Sequence, residues 1–396
     1  MSVVNFLRYP DPSMRQHPLI ILADDLTGAA EIAGIAHQAG LRSVVHTGLP
    51  GDSAGADVII CDTDTRLSTP ARAAARVKAL ATALAARPNG GFFKKVDSVL
   101  RGPVLAEVRA CAEALGSRRS ILLPCNPSLG RVIRDGRYFV GGQPLHRTAF
   151  ARDPFHPRKT SDVHTLLGAD DDDSVASRPT ASRLPAAGVI IGEADTPADV
   201  TFWAGQVDRH TLPAGGADFF RAWLQSRRSY RARTAPAAMP AGGTLLLSGS
   251  SAAPDPITPL PGDFVSINPR HRPTPQALAA DLQESLTRDG FASVGMSRTL
   301  SRDPKAPTAL RRLLALTARR LQTAKAFHHL IIAGGATASS IFTALDWHEL
   351  EVVHIWGPGV ATLRPTAAPE FVVTLKPGSY SWPASLIREL QAANAA

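Results

Sequence analysis

Short apolar runs alternate with alanine-rich stretches of helical periodicity through the first half of the chain. LIILA (19–23), RSVVHT (42–47) and DVIICD (57–62) have a length that suits buried strands. Between the first two, residues 27–40 carry apolar side chains at helical spacing and end on Gly40, a residue typical of helix ends. Strands that alternate with helices in this way predict a mostly parallel sheet flanked by helices, the α/β class.

The same alternation continues past residue 190. Pro103 stands where a helix would begin and Gly116 where it would end, an asymmetry typical of helices. Residues 128–187 are richer in turn residues, and their acidic run 170–173 is predicted to be a solvated loop. We predict helices over 70–87, over 103–116 and after Pro197, strands over 91–98, 120–127 and 189–195, and a hairpin over 134–145.

A polar, basic segment rich in proline and glycine, residues 227–243, separates this pattern from a second one. Such segments are typical of domain boundaries. We therefore predict an N-terminal extension (1–18), an α/β domain (19–235) and a second α/β domain (240–396), with the active site in the cleft between the domains. Helices are predicted over 274–288 and 306–326, and four strands are predicted to end in small-residue turns, within TLLLSGS (244–250), HHLIIAGG (328–335), EVVHIWGPGVATL (351–363) and EFVVTLKPGSY (370–380).

The composition narrows the class of protein. Of the 396 residues 44% are hydrophobic, enough for buried cores in two domains. The formal net charge of +9 suggests nucleic acid as a partner, but the arginines are scattered through helices, which favours a solvated basic surface.

Cys61, Cys111 and Cys125 lack metal-ligand spacing and are predicted to be reduced and buried, as in a cytoplasmic protein. Residues 1–18 do not resemble a signal peptide, and no apolar run approaches the roughly 20 residues that span a bilayer, so we expect neither a membrane nor a nucleic-acid partner.

Charged and polar side chains cluster where the first-domain strands are predicted to end. In parallel α/β sheets, ligands bind at the carboxyl ends of strands. Carboxylates accept hydrogen bonds from hydroxyls, arginine binds a carboxylate through two hydrogen bonds, and lysine neutralises charge. Single members could instead be a helix cap, as for Asp25, or surface ion pairs. The whole set predicts a site for a small polyhydroxylated acid and comprises Asp24, Asp25, Thr27, Asp62, Asp64, Arg66, Lys94, Lys95, Asp97, Ser98 and Arg101.

The strand ends of the second domain are small and glycine-rich instead. Backbone N–H groups at the start of a helix bind phosphate oxygens. One such turn would be weak support, since tight turns require glycine anyway, but four of them predict a nucleotide site. The sequence has no GxxxxGK[ST] and no GxGxxG pattern, which argues against a P-loop NTPase and a dinucleotide site. The predicted nucleotide-binding residues are Ser248, Ser250, Gly334, Gly335, Ala336, Thr337, Gly359, Lys376 and Gly378.

Several of these motifs resemble those of the four-carbon acid sugar kinases. ADDLTGA (23–29) is similar to the family's ADD-x-TGA, DTDTR (62–66) to its D-[ST]-[DE]-[ST]-R, and KKVDSVLRG (94–102) to its KK-x-DSTLRG. Gly-Arg, Asp-Gly and Asp-Pro elements follow in the family's order within residues 124–157. AGGATA (333–338) is similar to the family's GG[DE]TA, with Ala336 in place of an acidic residue.

The resemblance implies a sugar-binding domain, a nucleotide-binding domain, and ATP-dependent phosphorylation of a terminal hydroxyl on an erythronate- or threonate-type acid. ATP and Mg²⁺ are the implied cofactors, with the metal held through the nucleotide phosphates and without an assigned protein ligand. Phosphoryl transfer depends on positioning, on charge neutralisation and on a base for the attacking hydroxyl. Asp25 is the first candidate for that base and Asp24 the second, Arg66 and Arg101 would hold the substrate carboxylate, and Lys94 or Lys95 would offset charge at the transferred phosphoryl group.

Two other functions stay open at this point. The altered second domain, above all Ala336, is also compatible with a sensor that binds a sugar acid or a nucleotide without catalysis. The isoelectric point of about 9.9, taken alone, would suggest a nucleic-acid binder. The expected partners are a small sugar acid and ATP, and assembly of identical chains into a homo-oligomer stays open as well.

Overall fold

The computed structural model describes residues 17–51, 53, 55–153, 155–169, 184–227, 242–249, 264–268, 272–296, 306–378 and 380–395. The predicted domain boundary lies largely outside these ranges, as do the acidic run 170–173, Ser250 and most of the predicted N-terminal extension. The predictions for those segments therefore concern residues that the structure does not describe.

The first half alternates between strands and helices, as its hydrophobic pattern predicts. Helix α2 begins with Pro70, which has no N–H to leave unsatisfied in a first turn, and α5 begins with a capping box between Thr196 and Asp199. The elements are β1 Leu19–Ala23, α1 Leu26–Gln38, β2 Ser43–Thr47, β3 Val58–Asp62, α2 Pro70–Ala85, β4 Phe92–Lys95, α3 Val104–Ala114, β5 Arg119–Leu123, β6 Arg131–Arg134, β7 Arg137–Val140, β8 Gln143–Pro144, α4 Val163–Leu167, β9 Gly188–Ile191, α5 Pro197–Gly205, β10 Thr211–Gly215 and α6 Ala217–Arg227.

The second half repeats the alternation with longer helices. Thr274 caps α7 by accepting a hydrogen bond from the N–H of Ala277, and Gly290 ends the helix in the left-handed conformation. The elements are β11 Thr244–Ser248, β12 Phe264–Ile267, α7 Pro275–Asp289, β13 Phe291–Met296, α8 Ala306–Thr323, β14 His329–Ala333, α9 Gly335–Leu345, β15 Glu349–Gly357, β16 Val360–Pro365, β17 Val372–Lys376 and α10 Ala384–Ala395.

The described strands of both halves pair into one continuous sheet of 14 strands. Their order is β12-β13-β11-β14-β17-β16-β15-β2-β3-β1-β4-β10-β5-β9, and β6, β7 and β8 form a separate three-stranded sheet. Strands β2 and β15 join the halves as antiparallel neighbours, with Glu349 opposite His46 and Glu351 opposite Val44. Each half thus contributes the mostly parallel set of strands that the sequence predicts, and the two sets join into one sheet through the pairing of β2 with β15.

The parallel strands of the two halves run in opposite senses along this sheet. Strands β1, β3 and β4 are parallel neighbours, and so are β11, β14 and β17, but three antiparallel pairings separate the two groups. Neighbouring strands rotate by about 20–25°, so the six steps from β1 to β14 amount to roughly 120–150°. A twist of this size would turn the carboxyl ends of β1 and β14 toward the same side of the molecule.

Helix α1 lies at the centre of the molecule, between the two halves. Its residues from Leu26 to Ala36 are buried, because α1 contacts α6 of the first domain as well as β15 and β16 of the second. A Cβ on Gly34 would lie 2.7 Å from the terminal methyl group of Ile355, so the absence of a side chain at Gly34 lets α1 pack closely against β15. The opposite face of the first-domain sheet packs Ile20 and Leu22 against α2 and α3, as alternation along a strand requires.

Two sequence predictions need correction. The segment EVVHIWGPGVATL is a hairpin of two antiparallel strands, β15 and β16, rather than one strand that ends in a phosphate-binding turn. The elements that the sequence did not predict are β10, β12, β13, α4, α6 and α10; in β10, TLPAG contains a proline and a glycine, which are uncommon inside strands. Strand β10 nevertheless lies within the sheet, between β4 and β5.

Candidate active site

Two adjacent aspartates follow β1, and the second caps the helix that comes next. Asp25 has extended backbone geometry and accepts a hydrogen bond from the N–H of Gly28 at 2.8 Å, as an N-cap residue does. Its other carboxylate oxygen accepts one from the hydroxyl of Thr27 at 2.7 Å. The helix-cap interpretation of Asp25 is therefore correct, but it leaves Asp24 unexplained.

Arg66 binds both aspartates. Its Nε and Nη2 donate to the two oxygens of Asp24 at 2.7 and 2.9 Å, and its Nη1 donates to Asp25 Oδ2 at 2.6 Å. The loop that carries Arg66 is fixed on β1, because the N–H groups of Thr65 and Arg66 both donate to the backbone carbonyl of Asp24. Asp64 in this loop has φ of +46°, a left-handed conformation that costs free energy in a non-glycine residue.

A second buried ion pair continues from the first. Arg101 binds Asp97 through two hydrogen bonds, from Nε at 2.9 Å and Nη2 at 2.8 Å, and its Nη1 lies 3.1 Å from Asp153 Oδ2. Arg66 Nη1 lies 3.7 Å from Asp97 Oδ1, which joins the two pairs into one network. We call Asp24, Asp25, Arg66, Asp97 and Arg101 the ionic cluster.

The charges in the ionic cluster stabilise one another against burial. Burial alone would raise the pKa of Asp24, but the charge and hydrogen bonds of Arg66 outweigh it and place that pKa below its ordinary value. Burial is likewise opposed at Asp97, where Arg101 and Arg66 hold the pKa well below its usual range. Both carboxylates are therefore ionised at neutral pH.

Asp62 differs from these carboxylates. It is buried at the end of β3, and burial together with the neighbouring charge of Asp64 raises its pKa well above the ordinary value. One of its oxygens accepts a hydrogen bond from the N–H of Asp64 at 2.8 Å. These surroundings favour the protonated form of Asp62, and in that form its carboxyl group can donate a hydrogen bond where an ionised carboxylate only accepts.

Lys94 and Lys95, predicted together as substrate-binding residues, lie on opposite sides of β4. Lys94 is fully buried beneath α3, where its Nζ forms an ion pair with Glu107 Oε2 at 2.6 Å. Lys95 lies on the other side, 3.3 Å from Glu31 Oε2, with its Nζ also near the N-terminal turn of α1. Successive residues of a strand point to opposite faces, so only Lys95 faces the α1 side. Lys94 is fully buried, yet its charge helps to lower the pKa of Asp24, so its role in charge offset stays a prediction.

The small-residue turns that follow β11, β14 and β17 lie side by side. The N–H of Gly249 donates to the carbonyl of Ala333, and the N–H of Gly334 donates to the carbonyl of Lys376. A Cβ on Gly249 would lie 1.9 Å from Thr337 Oγ1, so this turn packs directly on the first turn of α9. Gly334 is the N-cap of α9, has φ of +109° and offers no capping side chain. Among the described residues no side chain caps the first N–H groups of α9, and such groups bind anions.

The start of α9 meets the ionic cluster across the domain boundary. A Cβ on Gly335 would lie 2.5 Å from Asp25 Oδ2 and 3.3 Å from Thr27 Oγ1. The predicted phosphate-binding turn and the predicted base thus come from different domains and are in direct contact. This arrangement brings Asp24, Asp25, Thr27, Arg66, Lys95, Asp97, Ser98 and Arg101 into the neighbourhood of Gly334, Gly335, Ala336 and Thr337.

The other predicted nucleotide-binding residues have different surroundings. Lys376 turns into its own loop, where its Nζ donates to the carbonyls of Pro377 and Tyr380, and burial lowers its pKa to about 8. Gly359 lies in the β15–β16 hairpin, where a Cβ would come within 2.7 Å of the Tyr380 ring. Ser248 is buried at the end of β11, and Ser250 lies outside the described residues.

Glu31, Arg131, Asp153 and Tyr380 were not among the predicted site residues. Tyr380 lies in the segment that follows β17, and its hydroxyl donates a hydrogen bond to Glu31 Oε1 on α1 at 3.1 Å. Arg131, at the start of β6, donates from Nη1 to Ser98 Oγ and lies over the rings of Tyr380 and Phe150. Arg131 stands in the Gly-Arg element of the sequence and Asp153 in the Asp-Pro element, so the motifs held a signal for them. Glu31 and Tyr380 had none, because their contact joins residues 349 positions apart.

A cavity of about 420 Å³ adjoins this region, between α1, α6 and the β15–β16 hairpin. It is mostly apolar, with Ile35, Val200 and Ile355 among its lining residues, and it reaches Glu31 and Gly359 at the edge toward Tyr380. Within the described part of the chain, no three His, Cys, Asp or Glu side chains form a group that could hold a metal ion. No described helix is both long enough and apolar enough to cross a bilayer.

Two family models match the chain in the order that the fold shows. The sugar-binding N-terminal domain matches residues 19–195, and the nucleotide-binding C-terminal domain matches residues 272–380. The 3-oxo-tetronate kinase of Brucella melitensis is 26% identical, over 94% of this chain and 95% of its own length. The D-threonate kinase of Bordetella bronchiseptica is 31% identical, over 51% of this chain and 55% of its own length.

Solved structures agree with the fold. A crystal structure of a Haemophilus influenzae protein superposes with a TM-score of 0.68 at 19% identity, over 94% of this chain and 99% of its own. A Salmonella typhimurium structure gives 0.72 at 20% identity, over 94% of this chain and 98% of its own. Both structures therefore share the same two-domain α/β architecture.

Proposed function

The chain belongs to the four-carbon acid sugar kinase family, and we propose that it transfers the terminal phosphoryl group of ATP to a terminal hydroxyl of a small sugar acid. Relatives named for three different acids, 3-oxo-tetronate, D-erythronate and D-threonate, match this chain. We therefore propose a four-carbon acid as the substrate class, without choosing one of the three.

One observation carries this proposal: the start of α9 touches Asp25. A hydroxyl that accepts a phosphoryl group needs a base on one side and the nucleotide phosphates in line on the other. With the N-terminal N–H groups of α9 beside Asp25 Oδ2, phosphates bound at the helix start would lie next to that base. The active site is accordingly proposed in the contact region between the two domains.

The residues present fit a nucleotide better than they fit a directly bound metal. Gly334, Gly335 and Ala336 have no side chain that would block phosphate oxygens, and the helix N-terminus favours negative charge. The side chain of Ala336 has no oxygen with which to bind Mg²⁺, so the proposed Mg²⁺ would be held through ATP phosphates and water. When bound, the metal would neutralise charge on the phosphates during transfer.

Within this proposal, Asp25 accepts the proton of the attacking hydroxyl, and Arg66 fixes the orientation of its carboxylate. Lys95 lies beside the first turn of α1 and can offset charge near the transferred group. Arg66 and Arg101 were predicted to hold the substrate carboxylate, but each already binds an aspartate through two hydrogen bonds. Their geometry supports a role in positioning Asp24, Asp25 and Asp97.

The test combines a substrate screen with a variant of the base. Four- and five-carbon sugar acids are incubated with ATP and Mg²⁺, and ADP release is measured for the wild type and for Asp25→Asn. Asparagine is as good an N-cap as aspartate, so α1 should stay intact, while loss of the base should lower kcat by about 10²–10⁴-fold. Asp162→Asn makes the same exchange at the exposed N-cap of α4 and should leave kcat unchanged.

Near-wild-type turnover by Asp25→Asn would show that Asp25 is not the base, and absence of ADP release with every acid would contradict the kinase proposal itself. The alternative of a sensor without catalysis is not favoured, because the relatives that match most of the chain are kinases. Binding of a sugar acid without binding of ATP in calorimetry would reverse that preference.

A further inference from the structure

Arg131 lies beside the ionic cluster and forms no ion pair with any described carboxylate, and we infer that it binds the carboxylate of the sugar acid. This inference rests on the proposed function, because it assigns one group of the proposed substrate to one residue. The sequence motifs favour Arg66 and Arg101 for that role, but the paired donor groups of both arginines already bind aspartates.

The hydrogen bonds of Arg131 leave one edge of its guanidinium available. Nη1 donates to Ser98 Oγ and lies 3.4 Å from the Tyr380 hydroxyl, a long distance for a hydrogen bond. Among the described residues, no carboxylate lies within ion-pair distance of Arg131, and its Nε and Nη2 donate no hydrogen bond. These two groups form the edge that binds a carboxylate through two parallel hydrogen bonds.

Aromatic rings hold this guanidinium in place. The Arg131 Cζ lies 5.7 Å from the centre of the Phe150 ring and 5.2 Å from that of Tyr380. Phe150 also lies 5.8 Å from the guanidinium of Arg101, so the same ring contacts Arg131 and the ionic cluster. An arginine held between rings loses less conformational freedom when it binds a ligand.

The position of Arg131 suits one end of a short acid. Its partner Ser98 follows Asp97 directly in the loop after β4, and Tyr380 connects it to Glu31, which pairs with Lys95 on the α1 side. An acid whose carboxylate is bound by Arg131 would thus have its hydroxyls among the carboxylates of the cluster. Tyr380 belongs to the second domain, so the carboxylate would be recognised where the domains meet.

The competing interpretation is that Arg131 has only a structural role and stabilises the packing of the three-stranded sheet against the loop that carries Tyr380. The two roles differ in kinetics. Replacement of a residue that binds the carboxylate changes the KM for the acid. Replacement of a residue with only a structural role would change kcat and the KM values for both substrates together. A matched control is available in Arg134, which lies on the same strand, pairs with Asp195 and is exposed.

The experiment compares wild type, Arg131→Gln, Arg131→Lys and Arg134→Gln with D-erythronate and D-threonate in the presence of ATP and Mg²⁺. For Arg131→Gln we expect the KM for the acid to rise about 10- to 100-fold, with kcat and the KM for ATP little changed, because a charge-assisted pair of hydrogen bonds is lost. Arg131→Lys should fall between, since it keeps the charge without the paired donors, and Arg134→Gln should match wild type.

An unchanged KM for the acid in Arg131→Gln, or a parallel change of kcat and both KM values, would overturn the inference. If Arg131→Gln does not fold, Arg131→Lys decides by the same criteria. Calorimetry with each acid, without ATP, separates this inference from the proposed function. If the wild type binds the acid but does not turn it over, and Arg131→Gln loses this binding, the kinase proposal is refuted while the role of Arg131 is supported. If the wild type does not bind any acid, both the kinase proposal and the role of Arg131 are overturned.

Discussion

Replacement of Gly335 by alanine would test the contact between the two domains at the candidate active site. The added Cβ would lie 2.5 Å from Asp25 Oδ2, whereas real Cβ atoms essentially never come closer than 3.0 Å to another heavy atom. The Asp25 carboxylate or the start of α9 must therefore move by at least about 0.5 Å. Movement of Asp25 is restricted, because Arg66, Gly28 and Thr27 all donate hydrogen bonds to it.

This displacement should lower activity far more than stability. A displacement of about 1 Å in catalytic geometry can cost about 10²-fold in rate, so we expect kcat to fall about 10- to 100-fold. Alanine in a helix is more stable than glycine by about 1 kcal/mol, which offsets part of the strain in the folded protein. The melting temperature of Gly335→Ala should consequently stay close to that of wild type.

The assay is ADP release at saturating ATP with the best acid of the substrate screen, together with thermal unfolding. Gly205→Ala is the matched control, because Gly205 is the last residue of α5 and a Cβ there meets no atom within 4 Å. It should keep wild-type activity. Wild-type kcat in Gly335→Ala would refute the reasoning, since the two domains would then not approach as closely during turnover as they do in this structure.

Two further predictions concern stability. Lys94→Met leaves Glu107 buried without its partner and should lower the free energy of unfolding by about 3–5 kcal/mol, while Lys94→Met combined with Glu107→Leu should recover most of the loss in chemical denaturation. Burial lowers the pKa of His46 to about 4 and that of His329 to about 3, from 6.5. Below pH 6.5 the unfolded chain therefore binds protons that the folded chain does not, and at about pH 5.5 each histidine should cost about 1.4 kcal/mol of stability. A double His→Gln variant that loses as much stability as wild type between about pH 7.5 and 5.5 would contradict this origin of acid sensitivity.

The strands that carry the ionic cluster could be predicted because each has a strong local signal. LIILA, DVIICD and GFFKK are apolar or alternating runs that end at charged residues, and a parallel sheet brings such ends together. The roles of single side chains were harder to predict. Lys94 and Lys95 are adjacent in sequence, yet the alternation of β4 places one in the core and the other beside α1.

The residues that the sequence analysis missed depend on contacts between distant segments. In the sequence, Glu31 is one acidic residue within an alanine-rich helix. Its hydrogen bond with Tyr380 forms only when α1 packs between the domains. The free edge of Arg131 is visible only once the partners of Arg66 and Arg101 are known. Local periodicity cannot supply such information, because it depends on which acids each arginine meets after folding.

The proposed place of the site, between the domains, depends on sheet geometry as well as on the motifs. Three antiparallel pairings reverse the strand direction between β1 and β14, which in a flat sheet would put Asp25 and Gly335 on opposite edges. A twist of about 20–25° per step, about 120–150° over six steps, would turn the two carboxyl ends toward the same side, and the close approach of Gly335 to Asp25 shows that they meet. A sequence that predicts two separate parallel sheets gives no order of strands across the boundary, so it cannot predict this compensation. The contact of Asp25 with Gly335 thus depends on the pairing of β2 with β15, and a change at that shared edge should alter catalysis without altering a single residue of the ionic cluster.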